Sequence, residues 1–462
     1  MTMRHRKHKA ERNRRKQVEN IFDDEGKVSF EKVFIQKNLL HGNILCRRGK
    51  RGKKRVADFD LNAFEATYIL ERLLALRKWE VGEYTRFSIH ERGKPRKISA
   101  APYHARVVQR VAHEKFLSNI VHKSFITYNC ASQKGKGTDF ARSAMYHQLQ
   151  DYADRHRDGQ VKGYVLICDI HNYFGSISHT RLEEKYLRYP FDEGCMWLIH
   201  TIHSSTEDET LESKIGVPLG NEVSQTDGTL ALNDLDHIIK EKWHIKAYGR
   251  YMDDFLLIHR DKKYLETCLD NIKRYFNKEG FQLNETKTRI VPLVQGFDYL
   301  GFHWRLTDTG KVVVTAKKKK IKLNHDKMKK LHKKYLAGEI PFETLYTCFN
   351  AFINHITMWV GKKKRGNTWC LRQKLKNDFC LLYKEEIIKG IEEGWIKDPR
   401  KPKKETSPSI FPDTKCKLYK KFIKVFDDKN RLQANVKDSV YYENRLLESY
   451  CVGKEDAQFW LS

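Results

Sequence analysis

The chain has 462 residues, 40% of them hydrophobic, and a formal net charge of +29 from 88 Lys and Arg against 59 Asp and Glu. This length can build two or three domains with real cores, and a surface this basic favours an anionic partner, nucleic acid first, over a generally basic soluble protein. None of the ten cysteines forms a Cys-x-x-Cys pair, which excludes a zinc module and a disulfide framework. No apolar run approaches membrane-spanning length and the basic first seventeen residues hold no apolar segment, so we expect a cytoplasmic protein with no membrane partner.

Two strongly basic segments lie near the start of the chain. Residues 4–16 and 47–55 are dense in Lys and Arg, and the second combines Gly with seven cations. Such segments are usually solvated, although they can also grip phosphates. Over residues 61–78 the apolar spacing predicts an amphipathic helix. Its predicted inner face consists of Phe64, Tyr68, Leu70, Leu73, Leu74 and Leu76.

A hairpin is predicted over residues 84–102, with its turn at residues 91–95. The tip would carry Arg92, Lys94 and Arg96, three cations that could cover a triphosphate. An exposed basic turn without a ligand is the alternative.

A helix and a Gly/Lys-rich loop follow the hairpin. The helix is predicted over residues 104–120 and carries Arg106. The loop at residues 133–138 contains Lys134 and Lys136 and opens another helix. Because this loop lacks the Gly-x-x-x-x-Gly-Lys-Ser/Thr spacing of a P-loop, we favour contact with a nucleic-acid backbone.

Three carboxylates are predicted to meet. The almost wholly apolar run at residues 163–168 predicts a buried strand that ends at Asp169, where an unpartnered carboxylate is costly. Residues 248–259 predict a strand, a tight turn and a strand, with Asp253 and Asp254 at the tip. Adjacent carboxylates resist ionising together unless a hard cation such as Mg²⁺ neutralises them. A helix N-cap at Asp169 and a solvated acidic turn are the alternatives, but the three together suit two ions about 3.5–4 Å apart.

The remaining segments are predicted as follows. Residues 216–236 form a Gly-containing loop that runs into a long helix, where a base pair could approach closely. Lys287 follows a helix, and residues 296–302 make a tight hairpin. Beyond 316 the chain is Lys-rich and helical, and an apolar stripe over residues 345–360 indicates a helix-bundle core. Prolines between 399 and 412 mark a linker.

The order of these motifs resembles that of reverse transcriptases over residues 40–380. The motifs are the basic hairpin, the strand ending in Asp, the Gly/Ser loop and helix, Tyr-Met-Asp-Asp, Lys287 and Gly-Phe-Asp-Tyr-Leu-Gly-Phe. The sequence is most similar to bacterial stand-alone enzymes related to group II intron proteins. Gly220–Gln225 matches the Gly-x-x-x-Ser-Gln of diversity-generating retroelement enzymes, which the segments 47–55, 134–138 and 366–368 also resemble. Enzymes of antiphage defence systems share the same palm motifs and often carry extra segments.

The resemblance implies an α+β right-hand polymerase with fingers, a palm made of an antiparallel sheet plus helices, a helical thumb and a C-terminal extension. The implied segments are a basic arm (1–45), fingers (46–160), palm (161–310), thumb (311–385), linker (386–413) and C-terminal extension (414–462).

It also implies a two-metal nucleotidyl transfer in the palm. Asp169 and Asp253 would hold two Mg²⁺ ions, with Mn²⁺ as an alternative ion, Asp254 more peripheral and Ile170 part of the metal site. Lys287 would donate a proton to pyrophosphate.

Further residues are assigned to the substrate and to nucleic acid by the same resemblance. Arg92, Lys94 and Arg96 would hold the β- and γ-phosphates. Phe174, next to Tyr173, would exclude a ribose 2′-hydroxyl. The residues expected to line the nascent base pair are Gly220, Ser224 and Gln225. The residues expected to contact template or primer are Arg106, Lys134, Lys136, Tyr251, Met252, Gly301, Lys317 and Lys318.

The expected activity is RNA-templated DNA synthesis in a bacterial cytoplasm. Its partners would be a template RNA, in particular a dedicated noncoding RNA, the cDNA product and dNTPs, with an accessory protein or a second copy of the chain as further partners. The alternatives are a nucleic-acid-binding scaffold, RNA-templated RNA synthesis, which the bulk of Phe174 disfavours, and protein-primed or untemplated DNA synthesis. The amide of Gln225, where most relatives have Pro, would lower fidelity opposite template adenines or would only tie its loop to the helix.

Overall fold

The computed structural model describes residues 21–91, 94–156, 160–205, 214–218, 220–356 and 367–396. The basic run at 4–16, the linker beyond residue 396 and the C-terminal extension lie outside these ranges. Among the described residues, no helix combines the length and the apolar character needed to cross a membrane.

The chain divides into two compact units, of which the first contains the described residues up to Phe297 and Arg305–Val312. Its helices are α1 (Phe30–Val33), α2 (Gln36–Cys46), α3 (Lys54–Leu61), α4 (Ala63–Ala75), α5 (Tyr103–Ala112), α6 (Ser118–Ile120), α7 (Thr138–Arg155), α8 (His179–Tyr186), α9 (Glu193–Ser204), α10 (Val223–Leu230), α11 (Asn233–His237) and α12 (Lys262–Glu279). Its strands are β1 (Thr85–Glu91), β2 (Lys94–Ala100), β3 (Tyr164–Cys168), β4 (Ala247–Tyr251), β5 (Asp254–His259) and β6 (Arg289–Pro292). Shorter 3-10 or π turns cover His113–Leu117, Val121–Ser124, Tyr173–Ser176 and Ile238–Lys242.

A four-stranded antiparallel sheet, ordered β4-β5-β3-β6, is the centre of this unit. Helix α12 begins where the Asp261 carboxylate accepts from the Lys263 N–H and ends at Gly280, whose φ of 83° suits the left-handed C-terminal position. The α12 side chains that are buried recur at helical spacing. They are Leu265, Cys268, Ile272 and Phe276. The predicted α+β class with an antiparallel sheet is confirmed.

A short segment of chain covers the outer edge of β4. The Cys130 N–H donates to the Arg250 carbonyl at 2.9 Å, and the Arg250 N–H donates to the Tyr128 carbonyl at 3.0 Å. Asn129, between these two residues, is fully buried. The segment preceding the Gly/Lys-rich loop is therefore tied to the central sheet by its backbone.

Two helix predictions need correction. The predicted long helix within 216–236 is two helices, because Leu232 leaves the helical region at φ −105° and ψ 12°. The predicted helix over 61–78 is α4, and Phe64, Tyr68 and Leu76 on its predicted inner face are 72%, 53% and 56% exposed. Apolar residues occupy two stripes of this helix, and periodicity alone cannot tell which one the rest of the fold covers.

The second unit contains the described residues of Asp298–Trp304 and those from Val313 onward. Strands β7 (Phe297–Tyr299), β8 (Phe302–Leu306) and β9 (Val312–Ala316) form a three-stranded sheet in that order. The helices that follow are α13 (Lys318–Leu336), α14 (Phe342–Ile356), α15 (Asn367–Leu382) and α16 (Lys384–Glu392).

The helices of the second unit enclose their own apolar core. Phe349 of α14 stacks on Phe379 of α15 with ring centroids 3.8 Å apart. The predicted apolar stripe is therefore core as far as Ile353, and the side chain of Ile356 and residues 357–360 lie outside the described part. Ile387 in α16 is fully buried in the same core, so the first residues of the predicted linker belong to a helix.

Candidate active site

The Tyr-Met-Asp-Asp motif forms the turn between β4 and β5. Tyr251 pairs with Asp254, which leaves Met252 and Asp253 as a two-residue turn. Met252 has φ 58°, the positive value that such hairpin turns require and that a residue with a side chain adopts at a cost. Asp253 is therefore held at the tip, and Asp254 begins β5.

Asp169 lies beside this turn because β3 pairs with β5, with Cys168 opposite Phe255. After β3 the chain pairs with residues 282–284, and the Asn284 N–H donates to the Asp169 carbonyl at 2.8 Å. A tight turn then brings Lys287 back, and its Nζ lies 2.8 and 2.7 Å from the two carboxylate oxygens of Asp169. The predicted neighbourhood of Asp169 and the Asp-Asp turn is thus present, with Lys287 as an ion-pair partner.

The three carboxylates form one cluster. One oxygen each from Asp169, Asp253 and Asp254 lie within 4.8 Å of one another. Desolvation, and then repulsion from Asp169, raise the pKa of Asp253, while Lys287 and Arg96 act in the opposite direction. The pKa of Asp254 rises to about 7 through desolvation and repulsion from Asp253 and Asp169. Since Asp254 is exposed, the crowding of negative charge is the stronger of these causes.

This donor set fits a divalent cation. The three residues offer only carboxylate oxygens, the ligands that Mg²⁺ and Mn²⁺ take, and bound positive charge would relieve the repulsion that raises both pKa values. The hydrogen bonds that flank Ile170 run from His171 to Gln282 and from Asn284 to Asp169, so neither uses the Ile170 carbonyl. That carbonyl remains compatible with its predicted place in the metal site.

Phe174 rests on α10 next to the turn. A Cβ at Gly228 would lie 3.1 Å from the Phe174 ring, which is tighter than an ordinary contact, so the ring packs closely on this glycine. The same Cβ would lie 3.6 Å from the Met252 sulfur, an ordinary contact distance. Phe174 is half-buried, with part of its ring accessible. Tyr173 is buried instead, and its hydroxyl donates to the Gly228 carbonyl at 2.5 Å, which does not fit a nucleotide contact through this side chain.

Residues 87–304 match the family model described as reverse transcriptase (RNA-dependent DNA polymerase). The chain carries a reverse transcriptase domain. Such a domain indicates an RNA-directed DNA polymerase, which is a nucleotidyltransferase, and the α+β architecture around the carboxylates fits the right-hand polymerase fold. No curated protein sequence matches the chain.

Solved structures of telomerase are distantly similar. Apo telomerase from Candida tropicalis, truncated from the C-terminal domain, is 15% identical over 50% of this chain and 55% of its own, with a TM-score of 0.40. Telomerase from Candida albicans in complex with a TWJ fragment of telomeric RNA is 10% identical over 71% and 70%, with a TM-score of 0.41. The corresponding Candida tropicalis complex is 12% identical over 67% and 55%, with a TM-score of 0.42. This chain thus spans about half the length of two of these structures, and similarity at this level carries no argument about its activity.

The Gly220–Gln225 loop of the reverse transcriptase domain packs against β2. A Cβ at Gly220, whose φ is 130°, would lie 2.8 Å from the Ser99 carbonyl, so the close approach requires glycine. Ser224 is buried, whereas Gln225 is partly exposed and its Oε1 accepts from the Ser132 hydroxyl at 2.9 Å. Gln225 therefore links α10 to the residue that precedes the Gly/Lys-rich loop.

The predicted phosphate-binding hairpin is present as β1 and β2, with Phe87 opposite Ile98. Arg96 is exposed and its charge lowers the pKa of Asp253, which places it near the carboxylates. Arg92 and the side chain of Lys94 lie outside the described part of the chain.

The predicted nucleic-acid contacts differ in how free their side chains are. Lys134 is exposed, whereas Lys136 donates to the Asn129 carbonyl at 3.1 Å and stabilises its own loop. Arg106 donates to the Ala101 carbonyl at 2.7 Å. Tyr251 is half-buried next to the Met252–Asp253 turn.

Three predicted contacts belong to the second unit. Lys317 pairs with Asp298 at 2.8 Å. Gly301 has φ 88° and, with Leu300 at φ 44°, forms the turn between β7 and β8. The Lys318 side chain is outside the described part of the chain.

Two buried charged residues behind the turn were not predicted from the sequence. Arg250 and Asp236 are both fully buried, and Nη2 of Arg250 lies 2.6 Å from Oδ2 of Asp236. The signal was available, since an arginine within the apolar strand of a Tyr-x-Arg-Tyr-Met-Asp-Asp run must find a partner. Which carboxylate would supply it was not readable from the sequence.

We expect Lys287→Met to slow DNA synthesis by about 10²-fold, because Asp169 loses its ion pair and the predicted proton donor is gone. Lys287→Arg keeps the positive charge, but arginine does not give up its proton. This variant should therefore recover only the part of the rate that depends on the charge. Single-turnover primer extension measures both rates. A Met variant with the wild-type rate would remove Lys287 from the reaction.

Proposed function

We propose that the protein is an RNA-directed DNA polymerase that copies an RNA template into cDNA, with two Mg²⁺ ions bound by Asp169, Asp253 and Asp254. The observation that carries this proposal is the convergence of these three carboxylates within 4.8 Å, from the end of β3 and from the β4–β5 hairpin of a reverse transcriptase domain. When bound, the ions would lower the pKa of the primer 3′-hydroxyl and neutralise the triphosphate and the leaving pyrophosphate.

The residues around the carboxylates supply the remaining roles. Arg96 would pair with the triphosphate, since its positive charge already acts at Asp253. The accessible part of the Phe174 ring would occupy the space of a ribose 2′-hydroxyl, which favours DNA over RNA as the product. Lys287 would hold Asp169 in place through their ion pair and would protonate pyrophosphate.

Extension of a DNA primer on an RNA template, with Mg²⁺ and labelled nucleotides, tests the activity. We expect incorporation of dNTPs, little incorporation of NTPs and dependence on the template. Binding of RNA without synthesis would favour the scaffold. Synthesis without added primer or template, or product covalently linked to the protein, would favour the protein-primed or untemplated alternative.

Binding of the template RNA should weaken steeply with salt. Each phosphate that the protein neutralises contributes a slope of about −0.7 to −0.9 to the log–log dependence of affinity on salt. Lys134, which is exposed on its loop, should account for about one such contact, so Lys134→Ala should flatten the slope by about that amount. Fluorescence anisotropy over a salt series measures the affinity for RNA. An affinity that does not change with salt would contradict binding through the RNA phosphates.

We further propose that the template is a dedicated RNA, used either in retroelement diversification or in antiphage defence. Diversification predicts errors concentrated opposite template adenines, and these should fall in Gln225→Pro. Because the Gln225 amide accepts from Ser132, Ser132→Ala is the matched control that breaks this link but keeps the amide. Sequencing of cDNA made from a defined template distinguishes the two roles. Uniformly accurate cDNA from the wild-type protein would favour the role in antiphage defence.

A further inference from the structure

The guanidinium of Arg250 is enclosed directly behind the catalytic turn. Its Nε and Nη2 donate to the two carboxylate oxygens of Asp236 at 2.8 and 2.6 Å. Nη2 also donates to the Thr229 carbonyl at 2.8 Å, and Nη1 lies 3.3 and 3.5 Å from the carbonyls of Met252 and Gly228. All five N–H groups of the arginine are therefore used.

Asp236 has further partners from other parts of the chain. The Tyr248 hydroxyl donates to one of its oxygens at 2.6 Å, and the Asn129 amide lies 3.4 Å from the other. The pair thus connects β4, α10, α11 and the segment that covers the edge of β4. Because Arg250 and Asp236 are fully buried, neither side chain can replace these hydrogen bonds with hydrogen bonds to water.

We propose that Arg250 and Asp236 are positioning residues for the catalytic turn. The Met252 carbonyl belongs to the peptide that leads into Asp253, so the Arg250 contact fixes the backbone from which this carboxylate projects. The contact with Gly228 fixes the helix on which Phe174 rests. The turn that would bind the metal ions and the ring that would contact the sugar are then both held in place by Arg250. This inference rests on the proposed function, because it concerns the cations and the nucleotide of that same site.

The chemistry of the contacts explains why arginine would be needed. Lysine offers three donors on one nitrogen and cannot form the paired contact with a carboxylate while also reaching three carbonyls. Met252 has a positive φ, which a side-chain-bearing residue keeps only when the surroundings hold it there. Outer contacts of this kind commonly change metal affinity by about 10–100-fold when they are removed.

Binding of Mn²⁺, followed by the loss of the free-ion signal in electron paramagnetic resonance, tests the proposal without relying on activity. We expect Arg250→Lys and Asp236→Asn to weaken Mn²⁺ binding by about tenfold and to lower dNTP-over-NTP selectivity. Lys185→Met is the matched control. Lys185 is also buried, and its Nζ pairs with Asp234, on the same helix as Asp236, at 2.6 Å and with Glu279 at 3.5 Å. It should lower thermal stability and leave Mn²⁺ affinity unchanged.

Tyr248→Phe removes only the hydroxyl that donates to Asp236. This variant tests the positioning role if the Arg250 variant does not fold. It should shift Mn²⁺ affinity in the same direction by a smaller factor. Wild-type Mn²⁺ affinity in folded Arg250→Lys or Tyr248→Phe, together with loss of binding in Asp253→Ala/Asp254→Ala, would overturn the positioning role alone. No Mn²⁺ binding by the wild-type protein would overturn the proposed function with it.

Discussion

Replacing Asp253 and Asp254 by Ala should abolish DNA synthesis. The two residues supply two of the three carboxylates that lie within 4.8 Å of one another. Stabilisation of the transition state by bound cations amounts to several kcal/mol, and a loss of about 4 kcal/mol is about 10³-fold in rate. Primer extension with a labelled primer measures the loss. cDNA made by the double variant at more than a few per cent of the wild-type rate would refute the assignment of the site.

The same variant should fold, and its stability should depend on pH in a defined direction. The pKa of Asp254 is raised to about 7 in the folded protein, so the wild-type protein without metal loses stability as pH rises through that value. The double variant lacks this loss, and its melting temperature relative to wild type should increase between pH 5 and pH 8 in EDTA. Asp270→Ala, an exposed carboxylate on α12, is the control that should change neither activity nor this dependence.

Phe174→Ala should admit ribonucleotides. The ring packs against Gly228 and, edge to face, against Tyr173 with centroids 5.6 Å apart, so these contacts hold its accessible part against a substrate. Discrimination by a close contact of this size amounts to about 1–3 kcal/mol, and we expect the ratio of dNTP to NTP incorporation to fall by about 10–200-fold.

A graded series makes this test specific. Phe174→Leu keeps much of the bulk and should lie between wild type and the Ala variant. Competition between dNTPs and NTPs on one template measures the ratio independently of the total rate. Equal ratios in wild type, Leu and Ala variants would show that another residue excludes the 2′-hydroxyl.

The sequence was most informative where function depends on local pattern. The apolar run that ends at Asp169 and the two β-prone runs around Asp253 each determine a strand and its end, and pairing of the two strands then brings the carboxylates together. The hairpin of β1 and β2 and the apolar stripe of α14 were predictable for the same reason, because period and turn residues lie within a few positions of one another.

What could not be predicted depends on contacts between distant segments. Arg250 pairs with a carboxylate on a separate helix, and the Lys136 ammonium donates to the Asn129 carbonyl. Tyr173 and Phe174 are adjacent aromatics, yet only the second keeps an accessible ring, because a 3-10 turn aims the first into the core. Such choices are made by tertiary packing, which no single-sequence pattern encodes.

The backbone pairing of residues 128–130 with Arg250 bears on how the protein avoids self-association. Unpaired N–H and C=O groups along an outer strand are templates for addition of a strand from another molecule. At β4 the N–H and C=O of Arg250 are already bonded to Tyr128 and Cys130, and the Tyr248 N–H donates to the Gln148 side chain at 2.6 Å. At the opposite margin β6 ends in Pro292, which has no N–H to offer. These features reduce the number of backbone groups through which a strand of another molecule could extend the sheet that carries the carboxylates.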